Sequence, residues 1–556
     1  MSRRLGARPT RRESRSKAAP GDLRLLLAEV SQYLDQVRVR LAAPIPGGGE
    51  DLSHKAAYII SLSLLIRNRN FDLGSQVGLA EPARRFFHGL ASISLLLHRL
   101  TTLALNVSRQ ARHLSRPDFP ADYALDEFFD EIDLGLALIR PALEQLREKQ
   151  VLRLCQVEER LDAHYADRFK RLSAELGAGP GRPGDLVPVL MIIHYLERIG
   201  DLILEIGEEL IHVISGERLN FPQYQALTAG LKAAGLSPGL AGAFNSIWSG
   251  RSGCRLGVVG AGEPGSVVFK YGPVGKLERE RDNIEFWSAL RPGLPPVIKA
   301  FVPARNSKEA ALILEYISGA SLKDHFLAPG GGEAEIYLQE ALELMAGLWR
   351  ATREDSPARA AFAHQAEKRL GPVRALYPEL LNFRGALGSI EIKPLGALLA
   401  EAAGLERNLA APFTVRIHGD FNLSNIMREE GGAFRFIDLY RSRASDYAQD
   451  LSVLILSLLR LPRVETAARE RLARSARLVW DFAKIFAAEN QDPTLEARLS
   501  FGLARSYLTS ARFEARRPTA ARYLGYGRHL LESLTAYGRA GRPWAEYPLD
   551  QRVLYL

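Results

Sequence analysis

The stretch IHGDFNLSNIM, residues 417–427, decides how this chain is read, together with FRFIDLYRS (434–442) and DYAQDLS (446–452) just downstream. Asp420 sits where a carboxylate can accept a hydrogen bond from an acceptor hydroxyl. Asn425, five residues on across a tight loop, offers a neutral carbonyl oxygen to a hard divalent cation, which takes oxygen ligands. Asp438 ends a hydrophobic strand, so its carboxylate projects into a cleft as the main metal ligand. Asp450 opens an apolar helix and can brace the loop before it. This is the equipment of phosphoryl transfer, which needs phosphates held, metal held and a hydroxyl oriented, with little covalent help. His418 beside Asp420 invites a triad reading, but no GxSxG elbow follows. It is read as a structural residue packed under Asp420.

The order HGDFNLSN, then ID at 437–438, then DL at 450–451 resembles the aminoglycoside phosphotransferase and choline kinase family. The resemblance covers roughly 243–556 and implies an α+β bilobal, protein-kinase-like fold using ATP and Mg²⁺. It implies Asp420 as catalytic base, Asn425 and Asp438 as Mg²⁺ ligands, and Asp450 as structural. Softer matches lie upstream. The turn SGRSGCR, with Ser249, Gly250, Arg251, Ser252 and Gly253, resembles the phosphate-covering turn, whose amides approach phosphate oxygens; an ordinary hairpin is the other reading. Lys270 in SVVFKYG resembles the strand lysine that contacts the α- and β-phosphates, with a snorkelling edge lysine as the alternative. On the following helix, KLERERDNIEFWSAL, Glu280 is the choice of partner for Lys270, with Glu278 and Glu285 as rivals. LILEYISG (312–319) resembles the inter-lobe hinge, whose backbone from Glu315 to Ile317 would bind adenine.

Outward from this core, the chain of 556 residues is too long for one domain. Residues 21–219 read as amphipathic helices, the pattern of a bundle. Within it LHRLTTLALNVSRQARHL (97–114) aligns without gaps on LERIGDLILEIGEELIHV (196–213), so two tandem three-helix units are expected. YLERIGDLILEIGEELI resembles the ExxxD motif of the PhoU phosphate-uptake regulators. That implies a PhoU-like all-α bundle and a second metal site at Glu197, Asp201 and Glu205, on one helix face. The matching positions of the first repeat are His98 and Thr102, so one of two implied sites is degenerate; a solvated acidic stripe is the competing reading.

The expected layout is a basic tail at 1–20, the bundle at 21–219, a Gly-, Pro- and Ala-rich linker at 220–242, a nucleotide-binding lobe with five strands at 243–327, and a helical, acceptor-binding lobe at 328–556. Two short strands around VRIHGD and FRFIDL interrupt the last. The net charge of +9 owes much to the tail, where seven Arg or Lys face one Glu. The tail lacks an apolar h-region, no recognised nucleic-acid motif accompanies the charge, and no apolar run approaches the ~20 residues of a membrane helix. Cys155 and Cys254 are the two cysteines and lie far apart, so no disulfide framework is expected; a reducing cytoplasm fits. Pockets for cationic amines, as in the family, are acidic. The last hundred residues are instead Arg-rich, either as solvated helix faces or as holders of an anionic group. The leading expectation is a cytoplasmic kinase acting on a small-molecule hydroxyl, with the PhoU-like part sensing or docking on a phosphate-transport or regulatory partner. A catalytically weak nucleotide-binding regulator of phosphate uptake is the alternative. The acceptor and the oligomeric state, a homodimer included, stay open.

Overall fold

The computed structural model describes residues 21–42, 52–115, 121–146, 148–178, 183–237, 244–247, 253–260, 265–304, 308–328, 333–381, 385–387, 390–462 and 465–555. The basic tail lies outside them. The chain forms two compact units, one of residues 1–274 and 299–314, the other of 275–298 and 315–556.

The first unit opens with six helices: α1 (Gly21–Ala42), α2 (Ser53–Gly74), α3 (Glu81–Ala111), α4 (Asp126–Gln145), α5 (Glu148–Gly177) and α6 (Pro183–Ser215). The repeated segments lie on α3 and α6, which pack against each other. Gly89 permits that approach, since a Cβ there would stand 2.5 Å from the Val213 side chain. Helix α3 is long and apolar enough to cross a membrane. Its Leu90, Ile93, Leu97, Leu100, Ala104 and Val107 are nevertheless buried in the unit's core, which is how a bundle's central helix reads.

The expected linker at 220–242 is corrected by a helix, α7 (Phe221–Ala233). Asn220 and Gln223 form a reciprocal capping box that satisfies the first free amides. Phe221, Tyr224, Leu227 and Leu231 then bury one face. The same core continues into a five-stranded sheet ordered β1-β2-β3-β5-β4. Its strands are β1 (Phe244–Ser246), β2 (Arg255–Val259), β3 (Val267–Pro273), β4 (Ile298–Pro303) and β5 (Glu309–Glu315). They match the five apolar runs of the sequence. Helix bundle and sheet therefore share one core, rather than forming domains separated by a tether: α7 packs on β3, and a Cβ at Gly230 would meet Ile313 of β5 at 2.8 Å.

The second unit holds α8 (Val274–Leu290) from Gly275 on, then β6 (Ala320–Ser321), α9 (Leu322–Leu327), α10 (Ala334–Ala351), α11 (Phe362–Arg369), α12 (Gly371–Leu376), α13 (Pro378–Leu381), β7 (Gly385–Leu387), β8 (Ile390–Ile392) and α14 (Leu395–Glu406). It continues with β9 (Val415–Ile417), β10 (Ile426–Arg428), β11 (Phe434–Phe436), β12 (Arg443–Ser445), α15 (Ala448–Leu459), α16 (Thr466–Glu489), α17 (Leu495–Ser510) and α18 (Arg517–Arg539). The two strands expected from VRIHGD and FRFIDL do not pair with each other: β9 pairs with β12, and β11 with β10. Nearly every residue of α17 is buried, so it is the central helix of this unit.

Candidate active site

Three short connections in the second unit converge on Asp420. The first leaves β9 at Ile417 and runs through His418–Gly419–Asp420. Gly419 has φ +84, and a Cβ there would stand 2.2 Å from the Arg441 carbonyl oxygen. Only glycine meets both demands. Asp450, fully buried near the start of α15, accepts the amides of His418 at 2.7 Å and Gly419 at 2.8 Å. Gln449 Nε2 donates to the Gly419 carbonyl at 3.1 Å. Burial raises the Asp450 carboxyl to about 7, against the lowering pull of those two amides.

The loop then turns tightly on itself. The Asn422 amide donates to the Asp420 carbonyl at 2.8 Å, and Asn425 Nδ2 donates to the same oxygen at 2.9 Å. Fixing Nδ2 there leaves Oδ1 of Asn425 as the oxygen to offer a cation. The Ile437 amide donates to the Asn425 carbonyl at 3.0 Å, and β10 pairs with β11 as Ile426 with Phe436. This register sets Asn425 opposite the turn that carries Asp438. Asp438 has φ 62 and ψ 50, a left-handed conformation that costs an L-residue about 1–2 kcal/mol and clusters at functional sites. His418, fully buried, lies in a T-shaped ring contact with Phe436 and a tilted one with Phe421, with centroids 5.9 and 5.8 Å apart. Burial lowers its imidazole, while Asp420 and Asp438, both within electrostatic range, pull it up. It is a packed support for the loop.

Helix α8 anchors the third connection. Asn283 Nδ2 donates to the carbonyls of Leu439 at 2.7 Å and Ser442 at 3.1 Å, and Trp287 Nε1 donates to Ser442 Oγ at 2.8 Å. Among the helix carboxylates considered for Lys270, Glu280 is buried, Glu278 half-buried and Glu285 exposed. Lys270, on β3, is also buried; it belongs to the first unit and Glu280 to the second. Of the glycine-rich turn, Ser249, Gly250, Arg251 and Ser252 lie outside the described residues; Gly253 has φ +68. In the segment expected as the hinge, the Glu315 amide donates to the Val297 carbonyl at 2.8 Å, and its carboxylate accepts Arg435 at 2.6 Å. Glu315 thus spends its own N–H within the second unit. Gly319 closes the segment at φ +139, where a Cβ would stand 2.2 Å from the Arg428 carbonyl oxygen.

The sequence missed Arg441. Its Nη1 lies 3.0 Å from Asp420 Oδ2; desolvation pulls its guanidinium down, but Asp420 and Tyr440 together hold it above the ordinary value. The arginine stands in the quoted FRFIDLYRS, three residues past the metal-ligand candidate.

The acidic residues of α6 do not come together as a metal cage. Glu205 pairs with Arg99 of α3 at 2.8 Å and Asp201 with Arg198 at 2.7 Å. Glu197 and Asp201 instead sit within electrostatic range of Asp162 on α5. Among the described residues, no three His, Cys, Asp or Glu are placed to hold a metal. Asn425 and Asp438 are a different case, since both offer oxygens of the kind a hard cation takes.

Residues 257–486 match the model of the phosphotransferase enzyme family. Among solved structures, the chain is similar to aminoglycoside phosphotransferase APH(3'')-Id from Streptomyces rimosus, in complex with ADP and streptomycin: 20% identity and TM-score 0.33, covering 48% of this chain and 92% of that one. It is also similar to choline kinase LicA from Streptococcus pneumoniae, at 12% identity and TM-score 0.32, covering 52% and 93%. No curated protein matches the chain.

Proposed function

We propose that the chain transfers the γ-phosphate of ATP to a hydroxyl of a small molecule. The observation that carries this is the Asp420 loop. Its backbone is fixed by the buried Asp450 carboxylate, its carbonyl pins Asn425, and Asp438 is strained into place beside it. A protein that only bound nucleotide would have no use for a carboxylate so positioned. The family match over 257–486 supports the same reading.

Asp420 orients the acceptor hydroxyl and accepts its proton late in the transfer. Asn425 and Asp438 would hold Mg²⁺, which when bound neutralises charge on the phosphate oxygens. Lys270 and the 249–253 turn position the triphosphate. Of the hinge backbone, the Glu315 carbonyl and the Ile317 amide are the groups for adenine. We place the activity in the cytoplasm, and we read the helical unit as a PhoU-like regulatory or docking part. Support for a regulatory link comes from the turn just past α6. Glu217 accepts the Ser246 amide at 3.1 Å and its hydroxyl at 2.8 Å, so the bundle grips the first strand of the nucleotide sheet.

The test is untargeted screening of a metabolite pool with γ-labelled ATP and Mg²⁺, wild type against Asp420→Ala. Labelled product with wild type alone supports the reading. Tight Mg-ATP binding with no transfer to any metabolite would replace it with the nucleotide-binding regulator.

A further inference from the structure

Beside Asp420 the second unit collects arginines from several elements. Arg369 ends α11, Arg441 follows Asp438, Arg505 lies on α17, and Arg512 sits in the single turn Ala511–Phe513 after it. Arg369 feels the charges of Arg441, Arg512 and Asp420. Arg505 feels those of Arg369, Asp420, Arg441 and Asp450.

The carboxylates nearby are already occupied. Asp420 holds Arg441 and Asp450 holds two amides. Glu514 stands 3.8 Å from Arg460. Among the described residues, Arg369, Arg505 and Arg512 have no ion-pair partner. Arg505 is 6% exposed and touches Ser452 Oγ at 3.3 Å and the Phe362 ring face at 5.5 Å. Its Nε and that of Arg512 are buried without a hydrogen-bond partner among the described residues. Arg498, seven residues earlier on the same face of α17, shows what a structural buried arginine looks like here: it is clasped by both Asp446 and Asp492. Burying a guanidinium without a counter-charge is costly, and burial with neighbouring cations lowers the Arg369, Arg505 and Arg512 guanidiniums.

We propose that Arg369, Arg505 and Arg512, with Arg441, form the acceptor subsite, and that the acceptor bears an oxyanion, carboxylate or phosphate, next to the hydroxyl that Asp420 orients. Guanidinium forks match either group. A polycationic acceptor is excluded by the same charges. This rests on Asp420 being the acceptor-facing carboxylate.

The experiment uses the full chain, Mg²⁺, γ-labelled ATP and acceptors in matched sets: hydroxy acids, their amides, sugar phosphates, the parent sugars and amino alcohols. Transfer should be confined to the acids or the sugar phosphates, and which of the two sets reacts identifies the oxyanion. Arg369→Gln and Arg512→Gln, both at half-buried positions, should raise the acceptor KM about tenfold or more, with the ATP KM within about twofold. Arg505→Met should do the same if it folds. Transfer to amides, parent sugars or amino alcohols, an unchanged acceptor KM, or a rise in the ATP KM instead would overturn the proposal. If nothing is phosphorylated, the phosphotransferase reading fails separately. The subsite is then judged by calorimetry with inorganic phosphate and with acetate, at saturating Mg-AMP-PNP: binding that Arg512→Gln abolishes supports it, and no binding overturns it.

Discussion

Arg441 and Asp420 meet at 3.0 Å across two different loops, so the carboxylate proposed to face the acceptor is held by a guanidinium next door to the proposed metal ligand Asp438. The pair fixes the Asp420 rotamer. Asp420→Ala should lower kcat by about 10²–10⁴-fold, the usual worth of a general base, with ATP affinity nearly unchanged. Arg441→Met should retain part of the rate. Its acceptor KM should rise more than its kcat falls, read from initial rates over a matrix of both substrates.

Gly419 makes a sharper structural demand. At φ +84, with the Arg441 carbonyl oxygen 2.2 Å from where a Cβ would go, Gly419→Ala has to move one loop or the other. The strain and overlap together should cost about 3 kcal/mol. The loss of stability in urea and the loss of turnover should appear together, because Arg441 and Asp420 are the residues displaced.

Glu217 tests whether the bundle reaches the sheet proposed to bind nucleotide. Its carboxylate accepts both the amide and the hydroxyl of Ser246 on β1, and lies 3.6 Å from Arg255 on β2. Removing it by Glu217→Ala leaves every proposed ATP-contacting residue intact. Amide exchange of residues 255–259 should quicken, and the ATP KM should rise severalfold with kcat changed less. Unaltered exchange in β2 would mean the grip is incidental.

The helical unit should also carry a pH signature. Burial, then Asp162, Asp201 and Glu159, push Glu158 on α5 up to about 7, against an ordinary value near 4.3. Between those values the folded protein keeps a proton that the unfolded chain has released. Stability contributed here therefore falls as pH rises from about 4.5 to 7, and is level above that. Glu158→Gln should melt higher than wild type at pH 8 and alike at pH 4.5, by scanning calorimetry. Parallel melting curves would show that the repulsion is absent.

How legible this was depended on the kind of signal. The loop residues Asp420, Asn425, Asp438 and Asp450 are ordered in sequence, because each lies at a fixed distance from a strand end or helix start. The five strands of the β1–β5 sheet showed as apolar runs. Helix α7 was hidden by its composition: Ala and Gly in 220–242 looked like a tether, although the Asn220–Gln223 box was there to find. The shared core of bundle and sheet has no local signature, since Gly230 meets Ile313 across more than eighty positions. The arginines were harder still. Those at 469, 474 and 477 on α16 are exposed, as a solvated helix face requires. Arg505 has the same one-letter code inside an almost wholly buried helix. Its distinguishing mark is its place on α17, two turns past Arg498 on the same face, with Arg512 following in the turn after the helix.

That face yields the last prediction. Arg505 is buried, its guanidinium is pushed down to about 9 by burial and the cations at 369 and 441, and Asp420 and Asp450 offset this only in part. The folded value lies below the ordinary one, so the unfolded chain binds the proton more tightly. Keeping the charge at neutral pH therefore costs stability, and that cost is lifted only above about pH 9. Arg505→Met fills similar volume without the charge. The free protein should melt higher by roughly 1–4 °C, the effect of about 1–2 kcal/mol in a unit or chain of this size. The order should reverse with a saturating anionic acceptor, which stabilises wild type and not the variant. A side chain that only held the fold together would give the opposite result, a lower melting temperature with and without acceptor.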